Sequence, residues 1–119
     1  MKKILIIDDE PVILLGCKKV LTSEGFDVDC ADSGQLGIDM FERNRYDLVL
    51  VDSRMPHLNG IEVLKRVKSI SKKTPVLVMS GFNSSEHIGD VFSSGADGYL
   101  SKPFTPEDLI CIIVESLNG

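Results

Sequence analysis

Five short apolar runs, near residues 3–7, 26–30, 47–51, 75–79 and 97–100, alternate with helix-like segments near 10–24, 33–44, 57–71, 84–94 and 105–118. Five βα repeats predict a parallel sheet covered by helices on both faces. Ile4-Leu5-Ile6-Ile7, Leu48-Val49-Leu50-Val51 and Val76-Leu77-Val78-Met79 are continuously apolar, the pattern of strands buried on both sides. Phe26-Asp27-Val28-Asp29-Cys30 alternates, and Asp97-Gly98-Tyr99-Leu100 is short and interrupted by glycine, so these two runs read as sheet edges. Among doubly wound sheets, the strand order 2-1-3-4-5 puts them outermost and brings strands 1 and 3 together at the switch point. The expected fold class is α/β, one doubly wound five-stranded parallel sheet, with residues 1–119 forming a single domain.

Each of four runs leads into a reactive polar group. Asp8-Asp9 follow the first, Asp52 the third, Ser80 the fourth, and Lys102 stands shortly after Tyr99-Leu100. In open α/β sheets ligands bind outside the carboxyl ends of the strands, so these side chains are candidates for one site. Each also has a purely structural use: Asp9 as a helix cap, Asp8 as a polar strand end, Asp52 at the turn Ser53-Arg54-Met55-Pro56, Ser80 as a cap or Gly81-turn residue, Lys102 as a solvated lysine. What raises the set above those uses is its convergence on one sheet edge. Carboxylates at short range raise one another's pKa unless a cation joins them, and an oxygen-only donor set suits Mg²⁺ beside a phosphate. A carboxylate is also a nucleophile toward phosphorus, and Lys102 and the Ser80 hydroxyl are suited to neutralising phosphoryl oxygens.

Composition excludes several other classes. A net charge of -5 disfavours a nucleic-acid surface, and the best basic cluster, Lys65-Arg66-Lys68 with Lys72-Lys73, reads as a solvated helix face. Cys17, Cys30 and Cys111 are odd in number and lack metal-knuckle spacing, so they read as small buried or half-buried thiols in a reducing compartment. No apolar run is long enough to span a bilayer, and the four-residue stretch before Asp8 is too short for a signal peptide, so a cytoplasmic location without membrane contact is expected. His57 and His87, without spaced partners, read as surface residues.

Helix punctuation supports the same division of the chain. Asp9 with Pro11 suits the start of the first helix and Gly25 its end; Thr105-Pro106-Glu107-Asp108 is a similar start for the last. The fourth segment, 84–94, carries an interior Gly89 and the late serines Ser93 and Ser94, and is expected to be the least stable helix. In the last segment, Leu109, Ile110, Ile112, Ile113, Val114 and Leu117 spread over about 200°, against the ~100° of a core-facing stripe. That width fits either a partner surface or a helix tucked deeply against its neighbours.

Over its whole length the chain resembles the receiver (response-regulator) domain of bacterial two-component signalling, which is CheY-like and flavodoxin-like in fold. The resemblance is carried by Ile4-Leu5-Ile6-Ile7-Asp8-Asp9-Glu10, Asp52-Ser53-Arg54-Met55-Pro56-His57-Leu58-Asn59-Gly60, Pro75-Val76-Leu77-Val78-Met79-Ser80-Gly81 and Gly95-Ala96-Asp97-Gly98-Tyr99-Leu100-Ser101-Lys102-Pro103-Phe104. It implies that Asp52 accepts a phosphoryl group from a histidine kinase or phosphotransfer protein. It further implies Mg²⁺ held directly by Asp9 and Asp52, through water by Asp8, and by the main-chain carbonyl of Arg54. Ser80, Lys102 and Gly81 would bind the phosphate, Ser80 and Tyr99 would switch together, and Arg54 and Phe82 would tune the phosphoryl lifetime toward a long one. Ser80 stands where many relatives have Thr, and Lys102-Pro103 is expected to be cis.

The resemblance implies a phosphorelay protein, not a metabolic enzyme, assisting only its own phosphorylation and dephosphorylation. Its output partner or homodimer would use the face of helix 4, strand 5 and helix 5. The chain reads as a stand-alone regulator or as the receiver of a longer one. Two rivals are a degenerate receiver acting without phosphate and a Mg²⁺ phosphatase with an aspartyl nucleophile. The phosphatase is disfavoured because its two acids would alternate after the first strand, whereas Asp8 and Asp9 are adjacent. A flavodoxin-like carrier is disfavoured because Asp8-Asp9-Glu10 would repel a phosphate.

Overall fold

A computed structural model describes residues 1–81 and 88–118. The element order is β1 (Lys3–Ile7), α1 (Pro11–Ser23), β2 (Asp27–Ala31), α2 (Gly34–Arg43), β3 (Leu48–Asp52), α3 (Gly60–Ile70), β4 (Val76–Gly81), α4 (Ile88–Ser93), β5 (Gly98–Lys102) and α5 (Pro106–Asn118). The strands form one parallel sheet in the order β2-β1-β3-β4-β5. The three continuously apolar runs are the three inner strands, and the alternating and glycine-broken runs are the edges, as their patterns require.

Period-2 alternation along the strands divides the core into two halves. Leu5, Ile7, Val49, Val51, Val76 and Val78 face one side, where they pack with α2, α3 and Val91 of α4. Ile4, Ile6, Leu48, Leu50, Leu77 and Met79 face the other, under α1 and α5. The broad apolar face of α5 is largely consumed there: Leu109 and Ile113 are buried and Ile110, Ile112 and Leu117 half-buried, leaving Val114 exposed.

The helix ends show where local chemistry acted and where it was misjudged. The α1 N-cap is Glu10 and not Asp9, and no side chain among the described residues caps it; instead Asp8 Oδ1 accepts the Glu10 N–H at 2.9 Å. At its other end Gly25, at φ +92°, closes a Schellman turn in which Phe26 N–H bonds Leu21 O and Gly25 N–H bonds Thr22 O. Helix α3 starts at Gly60, three residues later than its expected start, because His57 adopts φ +68° and Asn59 forms a reciprocal capping box with Glu62. Thr105 and Asp108 make the equivalent exchange at α5. The Lys102-Pro103 peptide is cis. Residues 84–87 of the fourth helical segment, with His87, and Phe82 lie outside the described residues.

Two surface expectations need correction. Lys68 is no solvated lysine: its ammonium lies 2.7 Å from Asp97 and donates to Thr74 O and Lys72 O, while Asp97 accepts the Val76 N–H. This clasp ties the end of α3 to the starts of β4 and β5. Cys17 is buried and Cys30 half-buried, but Cys111 is exposed on α5. Burial pushes the Cys17 thiol up to about 12, so it is a proton-bearing core residue.

Candidate functional site

The site lies at the carboxyl ends of β1, β3 and β5. Asp8 follows the last residue of β1 and Asp52 is the last of β3; strand pairing places β1 beside β3, so both carboxylates meet at the switch point. Both are buried, Asp8 completely. Lys102, the last residue of β5, reaches across from the sheet edge. Its Nζ lies 2.8 Å from Asp8 Oδ2, 3.2 Å from Asp52 Oδ1 and 3.3 Å from Glu10 Oε1.

One ammonium cannot balance three carboxylates in a half-desolvated setting. Burial and then the charge of Asp8 push Asp52 up to about 6, against the pull of Lys102. Burial raises Asp8 as well, though Lys102 and the Glu10 N–H work against it. At Lys102 burial opposes the charge, but Asp8 and Asp52 outweigh it and its pKa is raised. The site is therefore short of positive charge at neutral pH. Oxygen atoms of Asp8, Glu10 and Asp52 lie within 4.8 Å of one another, a donor set that fits a hard cation.

Asp9, which the resemblance makes a direct Mg²⁺ ligand, is exposed and lies outside that group of three, which Glu10 joins instead through its contact with Lys102. The signal for Glu10 was available in its spacing, two residues beyond Asp8 in chain that has not yet turned into helix. Arg54 is exposed on the loop after β3, the loop that returns at Gly60 to pack against the site's backbone. A Cβ on Gly60 would collide with the Asp52 carbonyl oxygen and stand 2.7 Å from Ser53 Cα, so this close approach requires glycine.

The hydroxyl expected on β4 is present and unsatisfied. Ser80 is fully buried, and its Oγ has no hydrogen-bond partner among the described residues. Gly81 pairs with Lys102 across the β4–β5 ladder, which carries the phosphate-binding candidates of both strands to the same level. Tyr99, opposite Val78, is half-buried on the α3 and α4 side. Ser53, which sequence alone did not single out, is a second fully buried hydroxyl without a partner among the described residues.

Comparison with known proteins places this geometry. Residues 4–114 match the response regulator receiver domain family. The chain is 33% identical over 111 residues to the cell cycle transcriptional regulator CtrA of Caulobacter vibrioides, and 36% identical to the cell cycle response regulator CtrA of Brucella ovis. Both alignments cover 93% of this chain and 48% of the relative, so the chain spans about half the length of these curated relatives. Among solved structures, a receiver domain protein from Clostridium thermocellum superposes with a TM-score of 0.93 at 34% identity, covering 99% of this chain and 95% of that one. The chemotaxis protein CheY4 of Vibrio cholerae superposes with a TM-score of 0.89 at 29% identity, covering 98% of each chain.

Proposed function

The chain belongs to the response regulator receiver family, and on that premise we propose that Asp52 is its phosphoacceptor in a two-component phosphorelay. The observation that carries this is the Asp8–Lys102–Asp52 cluster at the carboxyl edge, with the unsatisfied Ser80 hydroxyl two strands from Asp8. An Asp52 oxygen attacks the phosphorus of a phosphohistidine on a kinase or phosphotransfer protein. The P–O bond forms as the donor's P–N bond breaks, and the electron pair leaves with the imidazole nitrogen, which takes up a proton. Lys102 then faces the phosphoryl oxygens in place of the Asp52 carboxylate, and Ser80 donates to one of them.

The residues that would hold Mg²⁺ are Asp8, Glu10 and Asp52, with Asp9 and the main-chain carbonyl of Arg54 beside them in the chain. Bound there, the ion supplies the positive charge that Lys102 alone cannot, toward both the carboxylates and the phosphoryl oxygens. The chain assists only its own phosphorylation and dephosphorylation. A protein donor needs a seat beside Glu10, and α1 offers one: Val12 and Leu15 are 79% and 70% exposed in the two turns that follow.

The output would run through Ser80 and Tyr99 to α4, β5 and α5. Ile88 and Phe92 of α4 are 53% and 45% exposed, and Val91 is its one buried side chain among the described residues. So sparse a packing suits an element whose population shifts on phosphorylation, to meet an output partner or a second copy. Hydrogen exchange in α4 should be fast at rest and change on activation; protection equal to that of α1 and unaltered by activation would contradict this. Arg54 and Phe82 would lengthen the phosphoryl lifetime, and rapid spontaneous loss of phosphate from the isolated chain would overturn that assignment.

The phosphoacceptor itself is tested by incubating the chain with Mg²⁺ and acetyl phosphate. Mass spectrometry should find one phosphoryl adduct, absent in Asp52→Asn. No adduct with any donor would favour a receiver acting without phosphate. Steady release of phosphate from unrelated esters would favour a phosphatase.

A further inference from the structure

The loop from Ser53 to Asn59, which joins β3 to α3, leaves the sheet where its two sides part. Asp52 continues the alternation of Leu50 toward α1 and α5, while Ser53 and Ser80 continue that of Val51 and Val78 toward α3 and α4. The loop is strained at its centre and held at both ends. His57 is the one non-glycine residue at positive φ among the described residues, at +68°. Around it the Leu58 N–H donates to the Pro56 carbonyl at 2.7 Å, which closes a γ-turn in its rare, strained form. Such a conformation costs free energy and persists only where the surroundings impose it. On one side stands Gly34, the first residue of α2: a Cβ there would lie 2.8 Å from the Leu58 carbonyl oxygen and 3.0 Å from Leu58 Cβ. On the other, the Gly60 N–H donates to Ser53 O at 3.1 Å, and the Asn59–Glu62 exchange fixes the residue before it. The His57 side chain is exposed, so no packing of the imidazole accounts for the strain.

We propose that His57 is a positioning residue for the site: its strained turn fixes the main chain that follows Asp52 before any cation or phosphoryl group arrives. This rests on the reading of the acid cluster as a Mg²⁺ and phosphoryl site. Ser53 is pinned at one end of the loop and residues 58–60 at the other, so a change of φ at His57 must be absorbed between them. Pro56 cannot absorb it, because its ring locks φ, and Met55, as the residue before proline, is confined to extended backbone. The adjustment therefore falls on Arg54, whose carbonyl the resemblance assigns to the metal. Mg²⁺ demands near-ideal octahedral geometry and tolerates such a displacement poorly. Histidine is among the residue types that accept positive φ, whereas a β-branched residue there is an outlier. The side chain at position 57 thus acts on the site through the backbone alone.

The test titrates Mg²⁺ into the whole chain, followed by calorimetry and by backbone amide shifts. His57→Val should bind the ion on the order of tenfold more weakly, because its loop relaxes in the unliganded chain and must be strained again on binding. His57→Asn, which accepts the turn, should stay within about twofold of wild type. Gly34→Ala presses on the Leu58 backbone from the α2 side and should weaken binding severalfold as well. Wild-type affinity in His57→Val or Gly34→Ala, whatever the thermal stability, or an equal loss in His57→Asn, would overturn the proposal. Should His57→Val not fold, His57→Ala carries the same comparison with a loss of about threefold. A second measurement needs no metal. In chelator, the Ser53, Arg54 and Gly60 amide resonances should shift in His57→Val and return in His57→Asn; their indifference to residue 57 would also overturn it. Absence of Mg²⁺ binding by the wild-type chain, with those resonances still coupled to residue 57, would count against the acids as a metal site and leave the turn's hold on the loop standing.

Discussion

The two sides of the sheet's carboxyl edge are built on opposite terms. On the α1 and α5 side, Asp8 and Asp52 are tied to Lys102 and the Asp8 carboxylate also holds the Glu10 N–H. On the α3 and α4 side, the Ser53 and Ser80 hydroxyls are equally buried and hold nothing among the described residues. A site that must receive charge gains from groups fixed in advance, because no reorganisation is then needed at the moment of transfer. A site that must report the event gains from groups left with an unmet bond, because a small new interaction can redirect them. On the proposed reading, the first side performs the chemistry and the second senses it.

Substitutions break this contrast unequally. Lys102→Met removes the cation common to all three acids, and acetyl phosphate should label Asp52 about 10²- to 10³-fold more slowly. Labelling within a fewfold of wild type would show that the acid side is not organised around Lys102. Gly60→Ala sets a methyl against the Asp52 carbonyl, backbone that cannot yield, and should cost about 3 kcal/mol in urea unfolding. A loss below ~1 kcal/mol would mean that the boundary between the two sides is pliable.

Titration sharpens the contrast further. The folded Asp52 has its pKa raised from 3.8 to about 6, so protonation favours the folded chain. This contribution is complete below pH ~4 and lost as the pH rises through about 6, with ~1.4 kcal/mol for each pH unit that separates the folded from the unfolded value. Asp52→Asn in chelator should therefore gain about 2 kcal/mol over wild type at pH 8 relative to pH 4. Parallel stability profiles for the two proteins would refute the charge imbalance. Smaller still, Thr105→Ala opens the cap that starts α5 just beyond Lys102 and should cost about 1 kcal/mol, with labelling by acetyl phosphate little changed.

Strand order was legible because burial on one face or two leaves a direct trace: Leu48 to Val51 is unbroken, Asp27 to Cys30 alternates. The acids were legible for the same reason, each standing where an apolar run stops. Details set by three-dimensional contact were not. Asp9 and Glu10 both follow Asp8, and only the turn into α1 decides that Glu10 reaches Lys102 while Asp9 faces solvent. Lys68 lies in a basic cluster by sequence, yet Asp97 and two carbonyls, from Thr74 and Lys72, fix it in place. Ser53 reads as one residue of a turn, and only the packing of the start of α3 over the end of β3 buries its hydroxyl completely.

The most direct test of the account is a crystal structure of the chain with beryllium trifluoride and Mg²⁺. The beryllium trifluoride, a phosphoryl mimic, should be attached to Asp52, with Lys102 Nζ on one of its fluorines and the Ser80 hydroxyl turned across the edge onto another. A mimic held by the acids and Lys102 while Ser80 keeps to the α3 and α4 side would contradict it.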